Sequence, residues 1–186
     1  MYKKNGIDGK NRIIGLSNID TIRASSFLNH HLQIRSDEFL CLPVIGGHSE
    51  STIIPLFSQL NKHIRSQIDI LYLTKEIQHA GDTVVNAKEG QGSATLAVAY
   101  AAAKFTDSLL RAMNGERNII EPAFIEQEYQ GTRFFSSYVK LGKWGVEEPL
   151  PIPQNLTAFE KENLQACLPI LNDQIQKGID YVNKHF

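Results

Sequence analysis

Asp20, Arg23 and His48 are of types that move protons and hold carboxylates. Asp20 and Arg23 lie three apart in a segment of helical periodicity, so they project from neighbouring faces. His48 follows Gly46-Gly47 at the end of the apolar run Phe39 to Ile45, which reads as a buried strand entering a tight loop. A histidine displayed there is held rigidly, can face a cleft and can exchange a proton near neutral pH. A carboxylate on its far nitrogen would fix the tautomer and stabilise imidazolium. An arginine can grip a carboxylate through two parallel hydrogen bonds. A plainer reading stays open: a surface ion pair for Asp20 and Arg23, and an ordinarily paired loop histidine for His48.

Other candidates are weaker. His30-His31 reads as a solvated helix end, because adjacent residues point in different directions and make a poor metal pair. Gly90-Gln91-Gly92-Ser93 is either an anion cradle at a helix N-terminus or a glycine turn with a cap. Cys41 reads as a core thiol in the apolar strand and Cys167 as a packed helix residue. The two have no metal spacing and no disulfide framework, so no metal is expected.

The surrounding pattern defines the elements. A helix from Ser17 carries Ile19, Ile22, Ala24, Phe27, Leu28 and Leu32 near one face, with Ser17 or Asn18 as N-cap. Ser51 to Phe57 reads as extended, with Pro55 marking an edge. Ile68 to Leu73 is a third strand or a helix start, and Thr74 to Lys88 an amphipathic helix. Ser93 can cap a long helix from Ala94 to about Asn114, stopped by Gly115. Its alanines, Ala97 to Ala103, suit a packing or subunit face. Ile119 to Glu128, Arg133 to Leu141 and Trp144 to Pro153 suggest a β-meander, turning at Gly142-Lys143. Thr157 with Glu160 fits a capping box opening a last helix to about Lys184, kinked at Pro169. This order predicts an α+β domain with largely antiparallel sheet.

The composition excludes several classes. At 186 residues, one domain is expected, and 42% hydrophobic with 21% charged residues excludes a disordered chain. With 19 basic and 20 acidic residues there is no positive excess to favour nucleic acid or anionic lipid. No apolar stretch reaches the ~20 residues that span a bilayer. The N-terminus lacks an h-region, which implies the cytosol or an address on a segment outside this chain. No Gly-x-Gly-x-x-Gly follows a strand and there is no P-loop.

Five segments in order carry a resemblance: Ile19 to Ala24, Leu42 to Ser49, Thr52 to Leu56, Gly92 to Leu96, and Leu110 to Gly115. Together they resemble NAD-dependent malate dehydrogenase, the mitochondrial-type group above all, through Lys177 to Asn183. The match is to the C-terminal, substrate-side domain alone. The resemblance implies a lactate/malate dehydrogenase C-terminal-like fold over 16–186, with 1–15 the remnant of a connection from an absent NAD-binding Rossmann domain. The family's arginine-bearing mobile loop and its Asn have no matching positions.

The resemblance implies (S)-malate oxidation to oxaloacetate by NAD. His48 would be the catalytic acid/base, Asp20 its carboxylate partner and Arg23 the clamp on a substrate carboxylate. Ser93 and Ala94 would lie beside substrate and nicotinamide. Val98 stands where the family usually has a cofactor-touching Met, and Glu50 where it commonly has Gly. A homodimer is implied, with the helix from Ser17 and the Ala-rich helix in its face. So is the mitochondrial matrix, with the cytoplasm left open by the missing targeting segment. The isolated chain is expected to be inactive. The rival expectation is a truncated, non-catalytic paralogue serving as a dimerisation or association module.

Overall fold

The computed structural model describes residues 9–35, 38–89 and 91–185. Five antiparallel strands form one sheet: β1 (Val44–Gly46), β2 (Ile53–Pro55), β3 (Ile119–Tyr129), β4 (Thr132–Gly142) and β5 (Gly145–Pro149). The order is β2-β1-β4-β3, with β5 also on β4. Among the described residues six α-helices surround it: α1 (Asn18–His31), α2 (Lys62–Arg65), α3 (Ile70–Gln78), α4 (Ala80–Ala87), α5 (Thr95–Met113) and α6 (Ala158–His185). This is the expected α+β architecture.

The β3–β4–β5 meander forms as its aromatic and β-branched residues require. Its first hairpin turns on Gln130 and Gly131, both at positive φ, which matches the twist of the strands. The capping box also forms. Glu160 Oε2 accepts from Thr157 N at 2.7 Å, and Thr157 Oγ1 accepts from Glu160 N at 3.2 Å. The other Glu160 oxygen accepts from Ser58 N at 2.7 Å, which fastens the start of α6 to the segment after β2.

The short pair β1–β2 is covered on both faces, so it reads as continuous apolar sequence. Val44 and Ile53 pack with Ala24 and Leu28 of α1 and Leu73 and Ile77 of α3. Ile45 and Ile54 point the other way, onto Leu164, Cys167, Leu168 and Leu171 of α6. A third cluster joins α5 to the meander through Phe105, Ala112, Ile119, Val139 and Val146. The end of β1 therefore emerges between α1 and α6.

Several expectations need correction. The strand drawn over Phe39 to Ile45 shrinks to Val44–Gly46. Side chains of α1 take the backbone groups before it: Asn29 bonds both the N–H and the C=O of Leu40, and Ser25 Oγ accepts from Leu42 N. Cys41 in that stretch is exposed, so it is no core thiol, whereas Cys167 is buried and burial pushes its thiol up to about 11. Of the two readings of Ile68 to Leu73, the helix start holds from Ile70, with Asp69 capping α3 through Tyr72 N. The helix from Thr74 to Lys88 is two helices meeting at His79. Ser17 occupies its N-cap position without a cap bond, because its hydroxyl accepts from Ser136 Oγ at 2.6 Å. Of the 1–15 connection, residues 1–8 lie outside the described residues. Gly15 exchanges two backbone bonds with Phe124, and Ile14 packs on the third cluster, so this segment does reach the core.

Candidate active site

Gly46 and Gly47 end β1 because nothing larger fits. Gly46 has φ +107, and a Cβ there would lie 2.2 Å from Thr52 O. One on Gly47 would lie 2.4 Å from Thr52 Oγ1 and 3.2 Å from Leu171 of α6. The chain then folds tightly over residues 47–52. Gly47 N donates to Thr52 O at 2.8 Å, and Thr52 Oγ1 donates to Ser49 O at 2.6 Å. Glu50 sits in this turn at φ 37, a left-handed conformation that costs a non-glycine residue about 1 kcal/mol.

His48 stands on this turn with its side chain 51% exposed. Its Nδ1 lies 2.6 Å from Oδ2 of Asp20, which comes from the first turn of α1 and is itself 1% exposed. The Asp20 hydrogen bond raises the His48 pKa above its ordinary 6.5; burial and the charge of Arg23 oppose the rise. With Nδ1 donating to the carboxylate, the other ring nitrogen is left to accept a proton. His48 also lines a cavity of about 290 Å³ with Phe124, Leu171, Gln174 and Ile175.

Arg23 does not pair with Asp20, so the surface ion pair is not what forms: Asp20 is buried against His48 instead. The half-buried Arg23 guanidinium lies against Gly81, whose added Cβ would be 3.7 Å from Nη1. It makes no ion pair among the described residues and is free to meet an anion.

Ser93, Ala94 and Val98 lie apart from this pair in the bonding network. Ser93 does not cap α5; Ala94 holds the N-cap position, and Ser93 O accepts from Lys88 Nζ at 2.8 Å. Gly90 of the supposed anion cradle lies outside the described residues. Val98 is exposed, as are Leu96 and Tyr100 of the same helix. Asn18 Nδ2 donates to Ala101 O at 2.9 Å, so α5 crosses α1 within a turn of Asp20. No described bond links these three residues to His48 or Asp20.

The described residues contain no glycine-rich phosphate cradle beside these side chains, and the Gly46-Gly47 turn is filled by Thr52 and Leu171. A dinucleotide therefore does not fit on these residues alone. Among the described residues no group of three or more His, Cys, Asp or Glu could hold a metal, and no helix is long and apolar enough to cross a membrane.

Sequence reasoning missed Gln174. Its Nε2 lies 2.7 Å and its Oε1 3.0 Å from Ser49 Oγ. A glutamine on a solvated helix face carries no signal that could have found it.

Known proteins share this fold. Residues 17–182 match the family described as lactate/malate dehydrogenase, alpha/beta C-terminal domain. The malate dehydrogenase of Edwardsiella ictaluri (strain 93-146) is 42% identical over 184 residues, 99% of this chain and 58% of that protein. The chain thus spans well under two thirds of this curated relative. The apo malate dehydrogenase of Picrophilus torridus superposes with a TM-score of 0.81 at 23% identity, covering 100% of this chain and 58% of that one. The Plasmodium falciparum malate dehydrogenase solved with NADH gives 0.76 at 20% identity, covering 96% and 60%. At such identities these two likenesses concern the fold alone.

Proposed function

Because the chain belongs to the lactate/malate dehydrogenase family, as its alpha/beta C-terminal domain, we propose that it is the acid/base half of an NAD-dependent malate dehydrogenase of mitochondrial type. The observation that carries this reading is the 2.6 Å contact between His48 and buried Asp20. His48 takes the C2 hydroxyl proton of (S)-malate on the nitrogen that Asp20 leaves free, and returns it to oxaloacetate in the reverse direction. Asp20 stabilises the imidazolium formed, and Arg23 holds a substrate carboxylate. NAD, when bound, supplies the hydride acceptor. Ser93, Ala94 and Val98 flank substrate and nicotinamide in the assembled protein, and residues 1–15 lead in from the dinucleotide-binding part. The resemblance favours the mitochondrial matrix as the working compartment.

One observation favours association as a companion role. Leu96 is 87% exposed, and Val98 and Tyr100 on the same helix are exposed with it. Leu96 and Tyr100 lie one turn apart on one face and Val98 on another, so the start of α5 exposes apolar surface around the helix, and a second copy of the protein is its proposed occupant.

Two assays test the catalytic reading. The chain alone is expected to form no NADH from malate. Placed in the corresponding region of the Edwardsiella ictaluri enzyme, it is expected to support turnover, with His48→Ala costing 10²–10⁴-fold, the usual worth of a general acid/base. A chimera that folds and binds NAD yet leaves malate untouched would overturn this reading and leave association as the function.

A further inference from the structure

His48 is directed by two helices, and α6 has had no part in the chemistry so far. We propose that Gln174 of α6 is a positioning residue: by holding the Ser49 hydroxyl it keeps His48 turned toward Asp20. The inference rests on the proposed function, since it concerns how that acid/base pair is held.

The geometry supplies the argument. The Gln174 amide engages one hydroxyl from both sides: Ser49 Oγ donates to Oε1 at 3.0 Å and accepts from Nε2 at 2.7 Å. Exchanging the amide oxygen and nitrogen would preserve both bonds, so the grip does not depend on which way the amide is turned. Ser49 follows His48 directly, and its backbone is bound on both sides by Thr52 Oγ1, at 3.0 Å to N and 2.6 Å to O. Fixing the Ser49 side chain therefore fixes the peptide that carries the imidazole.

Apart from Asp20 on His48 and the contacts of α6, the 47–52 turn is held by its own Thr52 bonds. Across the turn, α6 meets it at three points: Leu171 beneath Gly47, Cys167 Sγ 3.7 Å from Thr52 O, and Gln174 on Ser49. The first two are buried and set the fold. Gln174 faces the same cavity as His48 and is the exposed member, so it can be altered without opening the core. The charges acting on His48, from Asp20 and Arg23, both belong to α1. On α6, Asp173 and Lys177 beside Gln174 pair with each other. Glu50 lies on the loop itself and is unchanged in every variant below.

The test is the His48 titration, followed by NMR of its ring protons in the 186-residue chain. Gln174→Leu keeps shape and helix propensity and removes both bonds. It is expected to lower the His48 pKa, by less than Asp20→Asn does. Ser49→Ala should reproduce the fall, and Ser49→Thr, which keeps the hydroxyl, should not. A fall in Asp20→Asn with none in Gln174→Leu or Ser49→Ala would overturn the inference alone, whatever happens to the melting temperature. No fall in Asp20→Asn would overturn the acid/base pair itself, and the positioning role with it.

Discussion

The proposed site has two halves built to different degrees of completeness. Around His48 the groups that orient the ring have partners inside the chain: Asp20 on Nδ1, Thr52 on the neighbouring backbone, Gln174 on Ser49. Around the start of α5 the exposed side chains include Leu96, Val98 and Tyr100, and the Ser93 carbonyl accepts from Lys88 Nζ and Thr95 N. Proton chemistry needs a fixed tautomer and a fixed counter-charge, which one domain can supply. Contacts to a substrate or nicotinamide need a second wall, and here that wall is not in the described residues. The His48 half should accordingly respond to mutation through stability and titration, and the α5 half through binding alone.

A matched pair of glycines gives the largest expected contrast. Gly46 and Gly92 both have positive φ, +107 and +92. Alanine at either adds about 1 kcal/mol of backbone strain. At Gly46 the new Cβ also meets the Thr52 carbonyl at 2.2 Å, where backbone must move. At Gly92 its nearest neighbour is the flexible end of Lys88 at 3.5 Å. Urea unfolding should show a loss of about 3 kcal/mol or more for Gly46→Ala, the upper range for a clash plus strain, and about 1 for Gly92→Ala. Equal losses would erase the distinction between the halves.

Asp20→Asn comes next. His48 holds its proton above the ordinary 6.5 in the folded state. That linkage stabilises the fold fully below about 6.5 and is lost as pH rises through the raised folded value. The variant lacks most of it. Its unfolding free energy should therefore depend less on pH across that window than the wild type's, with the two curves differing most on the acid side. Parallel curves would mean that Asp20 and His48 are not coupled in solution.

How much of this was legible in the sequence depended on where each group finds its partner. The Thr157–Glu160 box is local, three residues apart, and could be read directly. The Ser49–Gln174 bond spans 125 positions and joins two common residue types, so no pattern announces it. The strand over Phe39 to Leu42 was misread for a related reason. Its residues are apolar, but Asn29 and Ser25 of α1 take the hydrogen bonds a neighbouring strand would have taken. Asp20 and His48 were legible as types; their meeting needed α1 packed against β1, which follows from Ala24, Leu28 and Val44 sharing one cluster. Ser93 had the right residue type for a cap, yet the turn places Ala94 there instead.

Arg23 probes the same half with the opposite sign. Its charge lowers the His48 pKa, against the larger effect of Asp20. Arg23→Gln should raise the NMR-detected pKa, by less than Asp20→Asn lowers it, because the guanidinium makes no hydrogen bond to the ring. In the chimeric enzyme the same change should raise KM for malate, as the proposed carboxylate-holding role of Arg23 requires. A raised KM without the titration shift would place Arg23 on the substrate but outside the field of His48.

The smallest expected effect belongs to α5, and its smallness is the point. Leu96 and Val98 are exposed on α5, while the residues that anchor this helix, Ala101, Phe105 and Ala112, lie buried further along it. Replacing Leu96 and Val98 with serine removes apolar surface that the folded chain leaves in water. The unfolding free energy in urea should therefore change by no more than about 0.5 kcal/mol per site, the usual range for surface positions, and the His48 titration should not move. Sedimentation equilibrium should report the opposite: any self-association of the chain should weaken, because exposed apolar surface of α5 that a second copy would cover has become polar. A loss of stability with unchanged association would mean that this stretch is part of the domain's own core. The α5 half would then be as self-contained as the half around His48.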